Sequence, residues 1–367
     1  MLITIINTIL IVAGISGFLA LMLVIADYFF ANYGEVKIKI NGKKELTVEG
    51  GDSLLSTLNN EKIYLPSACG GRGSCGFCKC KVHSGGGPVL PTEKPFLSAE
   101  ELQQDIRLSC QVKLKENIEI TIPDDIFNIK KFTAKVEKIQ DMTHDIKEIT
   151  FRLINPTEVN FKAGQYVQLQ APRYAKVRQS VSRAYSISSC PEHTDYLQLL
   201  IRRVPEGLCT TWVHDYMKEG DEVNFTGPFG DFLIRDTEKD MIFIAGGSGK
   251  APVKSMLDYL DLNKSTRRMA YFFGARETKE LYYTEKFMEL QESLADFTYY
   301  PILSQPTEQC EWDGRCGYVM TYFDEFLKDP QNTEAYLCGS PGMIGAVVKD
   351  LLKRGILEEN IFYDSFA

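Results

Sequence analysis

Four closely spaced cysteines carry most of the chemistry that this sequence could perform. Cys69, Cys75 and Cys78 form a C-x5-C-x2-C pattern, and Cys110 follows in the segment Arg107-Leu-Ser-Cys-Gln111. Thiolates donate strongly to iron, and three in one loop with a fourth further along suit a [2Fe-2S] cluster. The loop is also rich in glycine, which lets backbone N–H groups approach bridging sulfides without a Cβ in the way.

Structural zinc and ordinary core cysteines are the alternatives for this pattern. Zinc sites of this kind usually show two separated C-x2-C pairs, and the sequence contains no second pair. We assign Cys80 to the core, because it lies on the strand that follows the loop. The spacing therefore favours a cluster held by Cys69, Cys75, Cys78 and Cys110.

Length and charge limit the classes of protein to consider. The chain has 367 residues, enough for two or three domains, and a formal net charge of -8. It contains no basic block, which argues against a nucleic-acid partner. The remaining cysteines show no spacing of a disulfide framework, so we expect a reducing compartment.

The N-terminus predicts a membrane anchor. An unbroken run of uncharged, mostly apolar residues extends from Leu2 to Ala26, and about 20 such residues cross the hydrocarbon core. A signal peptide is the alternative, but the basic leading region that it needs is missing. Lysines follow the run, between Lys37 and Lys44, so positive-inside bias places the bulk of the chain in the cytoplasm.

The pattern of apolar residues changes three times along the chain. Alternation with one short helix predicts a small α+β module over 31–129, after an anchor over 1–30. Six short strands and one helix over 130–236 predict a closed antiparallel β-barrel. Strands and helices then alternate over 237–367, which predicts an open α/β sheet.

Two stretches of the predicted barrel could bind a flavin. Arg183 and Tyr185 alternate onto one face of a strand, where the arginine could clamp a phosphate and the tyrosine ring could lie on an isoalloxazine. A solvated arginine and a barrel-face tyrosine are the alternative. Gly207, Thr210 and Thr211 precede or begin a helix, whose N–H groups and hydroxyls could bind an anion.

A glycine-rich loop follows the first strand of the predicted α/β sheet. Gly246-Gly247-Ser248-Gly249 lies where a dinucleotide pyrophosphate binds in such sheets. It does not match G-x-G-x-x-G. It is not a P-loop either, because Lys250 is followed by Ala251 rather than Ser or Thr and the first glycine is missing. A tight βα turn is the alternative. Cys338-Gly339 ends another strand at the same edge, where the thiol could face a nicotinamide or simply fill a small buried space.

The order of these motifs resembles the ferredoxin–NADP reductase superfamily, which shares R-x-Y-S, G-G-x-G-x-A-P and C-G. The resemblance implies that Arg183 binds the flavin diphosphate, Tyr185 stacks on the isoalloxazine and Ser186 approaches its N5. It also implies a role in binding NAD(P)H for the glycine-rich loop and the helix start after it, and a place beside the nicotinamide for the cysteine. These residues are Gly246, Gly247, Ser248, Gly249, Ala251, Pro252, Cys338 and Gly339.

With the N-terminal helix and a β-grasp ferredoxin-like domain, the whole chain is similar to one family, the F subunits of sodium-translocating NADH:quinone reductases. The tail Tyr363-Asp-Ser-Phe-Ala367 is part of the likeness. The resemblance implies hydride transfer from NADH to FAD and single electrons passed to a [2Fe-2S] cluster and a membrane partner. It implies other membrane subunits, quinone as the indirect acceptor, sodium transport, and a single-pass position in the bacterial inner membrane. It also implies that Phe366 packs on the flavin and moves aside for NADH.

Two other functions remain open from the sequence. One is the reductase component of a membrane-associated oxygenase. The other is a tethered ferredoxin-type electron carrier without dehydrogenase activity, against which the intact flavin and nucleotide motifs argue. The stretch from Gly274 to Glu280 mixes one Arg and one Lys with two Glu, so we expect NADH to be preferred over NADPH.

Overall fold

The fold is taken from a computed structural model, which describes residues 2–30, 33–306 and 312–365. The chain forms two compact units, residues 1–128 and residues 129–367. The helices are α1 (Leu2–Phe30), α2 (Leu54–Asn60), α3 (Ala99–Gln103), α4 (Leu208–Asp215), α5 (Lys250–Leu262), α6 (Thr284–Ser293), α7 (Phe323–Phe326) and α8 (Pro341–Lys353).

The strands of the first unit are β1 (Glu35–Ile40), β2 (Lys44–Glu49), β3 (Lys79–Ser84), β4 (Ile106–Leu108) and β5 (Ile118–Thr121). Those of the second unit are β6 (Lys130–Asp141), β7 (Ile146–Asn155), β8 (Tyr166–Ala171), β9 (Val181–Ser186), β10 (Tyr196–Arg202), β11 (Glu222–Phe229), β12 (Asp240–Gly246), β13 (Met269–Ala275), β14 (Phe297–Leu303), β15 (Arg315–Cys316), β16 (Thr333–Gly339) and β17 (Ile361–Ser365).

The first unit contains a five-stranded mixed sheet in the order β2-β1-β5-β3-β4. Alternation in β1 buries Val36, Ile38 and Ile40, which pack with leucines of α2 in one core. α1 precedes this sheet. Within the described residues it is the one helix that is long and apolar enough to cross a membrane, with an apolar window over Ile6–Val24.

The barrel of the second unit is a six-stranded antiparallel sheet in the order β10-β7-β6-β11-β8-β9. An isolated bridge between Ile187 and Leu199 links the two outer strands. Inward-facing side chains such as Phe151, Leu169 and Phe225 fill the interior together with residues of α4. The predicted antiparallel barrel is therefore confirmed, with its closure made by a short bridge rather than by a full ladder.

The last part of the chain is a parallel sheet in the order β15-β14-β13-β12-β16-β17. Its central strands are buried on both faces, which is why they read as unbroken apolar runs. One hydrophobic cluster joins Ile146 and Leu200 of the barrel to Met256 and Tyr271 of the parallel sheet layer. Barrel and sheet thus share a core, and the predicted α/β architecture is confirmed.

Candidate functional site

The three clustered cysteines lie in the loop between α2 and β3. At Gly73, with a φ of +72°, an added Cβ would lie 2.5 Å from the amide nitrogen of Gln111. At Gly76, also at +72°, it would lie 3.0 Å from the Cβ of Phe96. Glycine has no Cβ, so at both positions it adopts the positive φ and allows the close contact without a steric clash. The close approach of Gln111 brings the loop beside Cys110, the neighbour of that glutamine in the chain.

The four predicted ligands lie as two pairs of thiols. The sulfurs of Cys69 and Cys75 are 3.3 Å apart, and the thiol of Cys78 is hydrogen-bonded to Cys110. The bond from Cys75 lowers the pKa of Cys69 to about 4. The bond from Cys78 lowers the pKa of Cys110 to about 7. The same two bonds raise the pKa of Cys75 and of Cys78, so each pair shares one proton between its two sulfurs.

Two pairs of thiols match a [2Fe-2S] cluster, in which two irons share four cysteines. A structural zinc ion instead gathers four ligands around one centre. The donor set fits the cluster better than zinc. Cys80 is buried in β3, where desolvation raises its pKa to about 12, as befits a core cysteine.

A buried ion pair, which no local sequence pattern indicates, supports the strand leading to the fourth cysteine. Arg107 is 4% exposed and Glu93 is 0% exposed. The guanidinium donates to both carboxylate oxygens of Glu93 and to the carbonyls of residues 86–88, so all its N–H groups are used. Glu93 also accepts from the backbone N–H groups of Leu90 and Leu108. The pair thus ties the 86–93 loop to β4.

Strand β9 carries the predicted flavin residues on one face. Arg183 and Tyr185 lie opposite Leu169 and Val167 of β8. The hydroxyl of Tyr185 is buried and finds no hydrogen-bond partner of ordinary length among the described residues. Its polar neighbour is the thiol of Cys209, a weak partner, and burial raises the pKa of the tyrosine. The side chain as a whole is only half-buried, which leaves ring surface for a flat apolar ligand.

The helix start predicted to bind an anion is present, but its hydroxyl is used locally. α4 follows Gly207, where an added Cβ would lie 2.5 Å from the hydroxyl of Thr210. That hydroxyl donates to the carbonyl of Gly207 and accepts from the N–H of Val204. Thr210 therefore shapes the turn. Its contact with a flavin phosphate, and that of Thr211, stay predictions.

The glycine-rich loop joins β12 to α5 at the carboxyl edge of the parallel sheet. An added Cβ on Gly249 would lie 2.2 Å from the carbonyl oxygen of Cys338, so only glycine allows this packing. Ala251 and Pro252 lie buried in the first turn of α5. The guanidinium of Arg202, at the end of β10, would meet a Cβ on Gly247 at 3.3 Å. Arg202 is paired with Asp145 at 2.6 Å, and its guanidinium could also contact a pyrophosphate, although no motif in the sequence marks it.

Three strands bring a serine, a cysteine and an aspartate together beside this loop. Ser186 ends β9, Cys338 lies in β16, and Asp364 is its register partner in β17. The hydroxyl of Ser186 donates to the carboxylate of Asp364 at 3.4 Å. Burial, with a smaller contribution from Asp231, raises the pKa of the aspartate to about 6. Burial also raises the pKa of the Cys338 thiol, which is 0% exposed.

The structure therefore brings Ser186 next to the carboxyl edge that holds Cys338, through its bond to Asp364, a residue of the tail to which the sequence assigns no role of its own. Gly339 continues β16 at the same edge, opposite Ser365. Gly246 to Gly249 lie at the neighbouring strand end. Phe366 lies outside the described residues, and its predicted place on the flavin stays a prediction.

Comparison with known proteins matches three domain families in this order along the chain. Residues 38–115 match the 2Fe-2S iron-sulfur cluster binding domain. Residues 133–234 match the oxidoreductase FAD-binding domain, and residues 243–349 match the oxidoreductase NAD-binding domain. Together with the thiol pairs and the glycine-rich loop, they define an iron–sulfur flavoprotein oxidoreductase of the ferredoxin reductase type.

Relatives that match nearly end to end narrow this class to one family. The F subunit of the Na(+)-translocating NADH-quinone reductase of Neisseria meningitidis is 36% identical over 389 residues, covering 95% of this chain and 96% of the relative. Its counterpart in Pseudomonas paraeruginosa is 37% identical, covering 97% and 96%. The chain belongs to the family of Na(+)-translocating NADH-quinone reductase F subunits.

Solved structures agree with the fold at greater distance. The cytochrome P450 reductase GcoB of Amycolatopsis superimposes with a TM-score of 0.74 and 28% identity, covering 90% of this chain and 98% of that one. The ferredoxin reductase in carbazole 1,9a-dioxygenase gives a TM-score of 0.69 and 25% identity, covering 91% and 98%. These two are named as reductases of a cytochrome P450 and of a dioxygenase, whereas the relatives with higher identity are named as quinone reductase subunits.

Proposed function

We propose that this chain is the electron-input subunit of a membrane NADH:quinone oxidoreductase. The observation that carries the proposal is the contact between Ser186 of the FAD-binding barrel and Asp364 of the NAD-binding sheet, beside Cys338 and the glycine-rich loop. This contact supports a flavin-binding strand that meets the edge where a nicotinamide binds in α/β sheets. When bound, FAD accepts a hydride from NADH and releases electrons one at a time, which the [2Fe-2S] cluster carries onward.

The residues of the barrel hold and orient the flavin. The guanidinium of Arg183 binds the diphosphate, which compensates its negative charge. The half-buried ring of Tyr185, held on β9, would provide the apolar surface for the isoalloxazine. Ser186 lies at the strand end, where its hydroxyl is held by Asp364.

The residues of the parallel sheet bind the dinucleotide. N–H groups of the loop Gly246–Gly249 and the N-terminus of α5 attract the pyrophosphate, and Arg202 adds a positive charge. Cys338 is fully buried and its pKa is raised, so its neutral thiol would lie behind the strand end at which the nicotinamide would bind. These groups orient the donor carbon and exclude water from it.

The chain is anchored in the membrane by α1, whose described side chains are mostly apolar and all exposed. We infer a single span in the bacterial inner membrane, with both redox units on the cytoplasmic side. The partners are other membrane subunits that pass electrons to quinone. The relatives are named for sodium translocation, and we extend that role to the complex that contains this chain.

A direct test separates dehydrogenase function from simple electron carriage. The full chain is purified in detergent with its cofactors and mixed anaerobically with NADH. We expect rapid bleaching of the bound flavin. A second experiment tests the anchor: when residues 2–30 are deleted, the protein should appear in the soluble fraction instead of the membrane fraction. A flavin that stays oxidised in excess NADH would contradict the proposal, and a deletion variant that still sediments with membranes would contradict the anchor.

A further inference from the structure

A lysine lies buried directly behind the glycine-rich loop. Lys250 begins α5 and is 0% exposed. Its amine donates to the backbone carbonyl of Tyr282, and no carboxylate within the described residues pairs with it. Burial lowers the pKa of Lys250 well below its ordinary value. The amine of Lys250 is therefore not exposed to contact an anionic ligand directly.

Aromatic rings surround the amine instead. Its Nζ lies 3.6 Å from the ring centroid of Phe273, 4.3 Å from that of Tyr282 and 5.1 Å from that of Phe287. Such rings tolerate an amine that donates one good hydrogen bond. The N-terminus of a helix, by contrast, disfavours a positive charge. The environment holds Lys250 in one place through packing and through its bond to Tyr282.

Tyr282 connects Lys250 to the glycine-rich loop through a hydrogen bond at each end. Its carbonyl accepts from Lys250, and its hydroxyl donates to the carbonyl oxygen of Gly247 at 2.8 Å. Gly247 has a φ of +57°, one of several conformations that glycine adopts with similar ease. A hydrogen bond to its carbonyl selects one of them. Two hydrogen bonds thus connect the start of α5 to the glycine-rich loop, one from Lys250 to Tyr282 and one from Tyr282 to Gly247. We call this pair of bonds the relay.

We propose that Lys250 and Tyr282 are positioning residues that fix the Gly247 peptide in the conformation that binds the NADH pyrophosphate. The inference rests on the proposed function and deepens it. Neither side chain reaches the reacting atoms, because the amine of Lys250 is enclosed by aromatic rings and the hydroxyl of Tyr282 donates its hydrogen bond to Gly247. Their effect is therefore on affinity for the dinucleotide and not on the hydride-transfer rate.

Lys250→Met tests this directly, because Met keeps the length and apolar contacts and removes the donor. In the flavin-loaded full chain we expect the Kd for NAD⁺, measured by calorimetry, to rise about tenfold, the equivalent of one lost hydrogen bond. The limiting rate of flavin reduction at saturating NADH should stay within about twofold. The thermal midpoint should not fall, since an amine no longer has to be buried.

Tyr282→Phe should raise the Kd to the same degree, and the double variant should add little, because both side chains act on one peptide. Tyr271→Phe is the matched control. Its hydroxyl is buried in the same aromatic layer and has no hydrogen-bond partner among residues that the structure describes, so its loss should leave the Kd unchanged.

Two results would overturn the relay: an unchanged Kd in Lys250→Met, whatever its limiting rate, or additive effects in the double variant. Calorimetry with NAD⁺ keeps this test separate from the proposed function. If the wild-type chain binds NAD⁺ but NADH does not reduce its flavin, the dehydrogenase proposal fails and the relay is still judged by the variants. If the wild-type chain does not bind NAD⁺, both fail.

Discussion

Ser186 donates a hydrogen bond to Asp364 across 3.4 Å, joining the end of a barrel strand to the last strand of the parallel sheet. The two residues are 178 positions apart in the chain. Burial and the nearby Asp231 raise the pKa of Asp364 to about 6, while the bond from Ser186 opposes the rise. The junction between the flavin-binding and nucleotide-binding layers therefore contains a carboxyl that titrates near neutral pH.

Replacing Asp364 by Asn should flatten the dependence of stability on pH. Because the folded pKa of about 6 exceeds the ordinary value of 3.8, the folded chain holds a proton that the unfolded chain has lost. Stability is therefore greater at low pH and falls as pH rises through about 6. Between pH about 5 and about 8, the wild type should lose about 1.4 kcal/mol that the variant keeps. Thermal midpoints at both pH values measure this.

Asp236→Asn is the control for this experiment, because Asp236 is an exposed carboxyl of the same unit. It should follow the wild-type pH dependence. Equal slopes for wild type and Asp364→Asn would contradict the raised pKa.

Cys110→Ala should abolish the [2Fe-2S] cluster and leave the flavin bound. The substitution removes one sulfur of the Cys78–Cys110 pair, so one iron lacks a thiolate. Iron content and the EPR signal of the reduced protein measure the loss, and flavin absorbance reports the other cofactor. Cys80→Ala is the matched control, since that thiol is buried in β3 outside both pairs. A normal reduced-cluster signal in Cys110→Ala would show that the fourth ligand is wrong.

Glu93→Ala should destabilise the first unit strongly. The change leaves the guanidinium of Arg107 buried without its carboxylate, which typically costs about 3–5 kcal/mol. We expect a lower thermal midpoint and faster loss of cluster absorbance on warming. Lys37→Ala provides the contrast, because the Lys37–Glu45 pair is exposed at 57% and 55% and should contribute nothing measurable. Equal midpoints for the two variants would refute a structural role for the buried pair.

NADH should be preferred over NADPH by at least about tenfold in kcat/KM. After β13, Lys279 is paired with Glu277 at 2.9 Å, and the carboxylate of Glu280 accepts from the N–H of Arg276. We expect this stretch to lie beside the adenosine ribose, where its carboxylates would repel a 2′-phosphate. Replacing both glutamates by Gln should narrow the preference. Glu289→Gln, on an exposed helix face, should leave it unchanged. Equal kcat/KM values for the two nucleotides would remove this prediction.

Features that depend on local spacing could be predicted from the sequence. The cysteine pattern, the alternation that puts Arg183 and Tyr185 on one face, and the βα turn at Gly246 all follow from a few neighbouring residues. Thr210 shows the limit of such reasoning, because its hydroxyl also bonds within the turn before α4, a contact that the pattern of residues does not predict.

The residues that could not be predicted depend on contacts between distant segments. Asp364 lies beside Cys338 because β17 pairs with β16. Arg202 lies beside Gly247 because β10 ends at the glycine-rich loop. Periodicity does not say which strand ends meet. The sequence around Lys250 says only that the loop is not a P-loop. It cannot show that this lysine is buried among aromatic rings, because those rings come from β13 and α6.

The central claim is that electrons enter this chain from NADH at the flavin and leave through the cluster. The most direct measurement mixes the purified full chain anaerobically with NADH and follows flavin absorbance and the EPR signal of the reduced cluster in the same time course. We expect flavin bleaching first and the cluster signal after it, with bleaching retained and the signal lost in Cys110→Ala. A cluster signal that appears without flavin bleaching, or no change in either cofactor, would contradict the account.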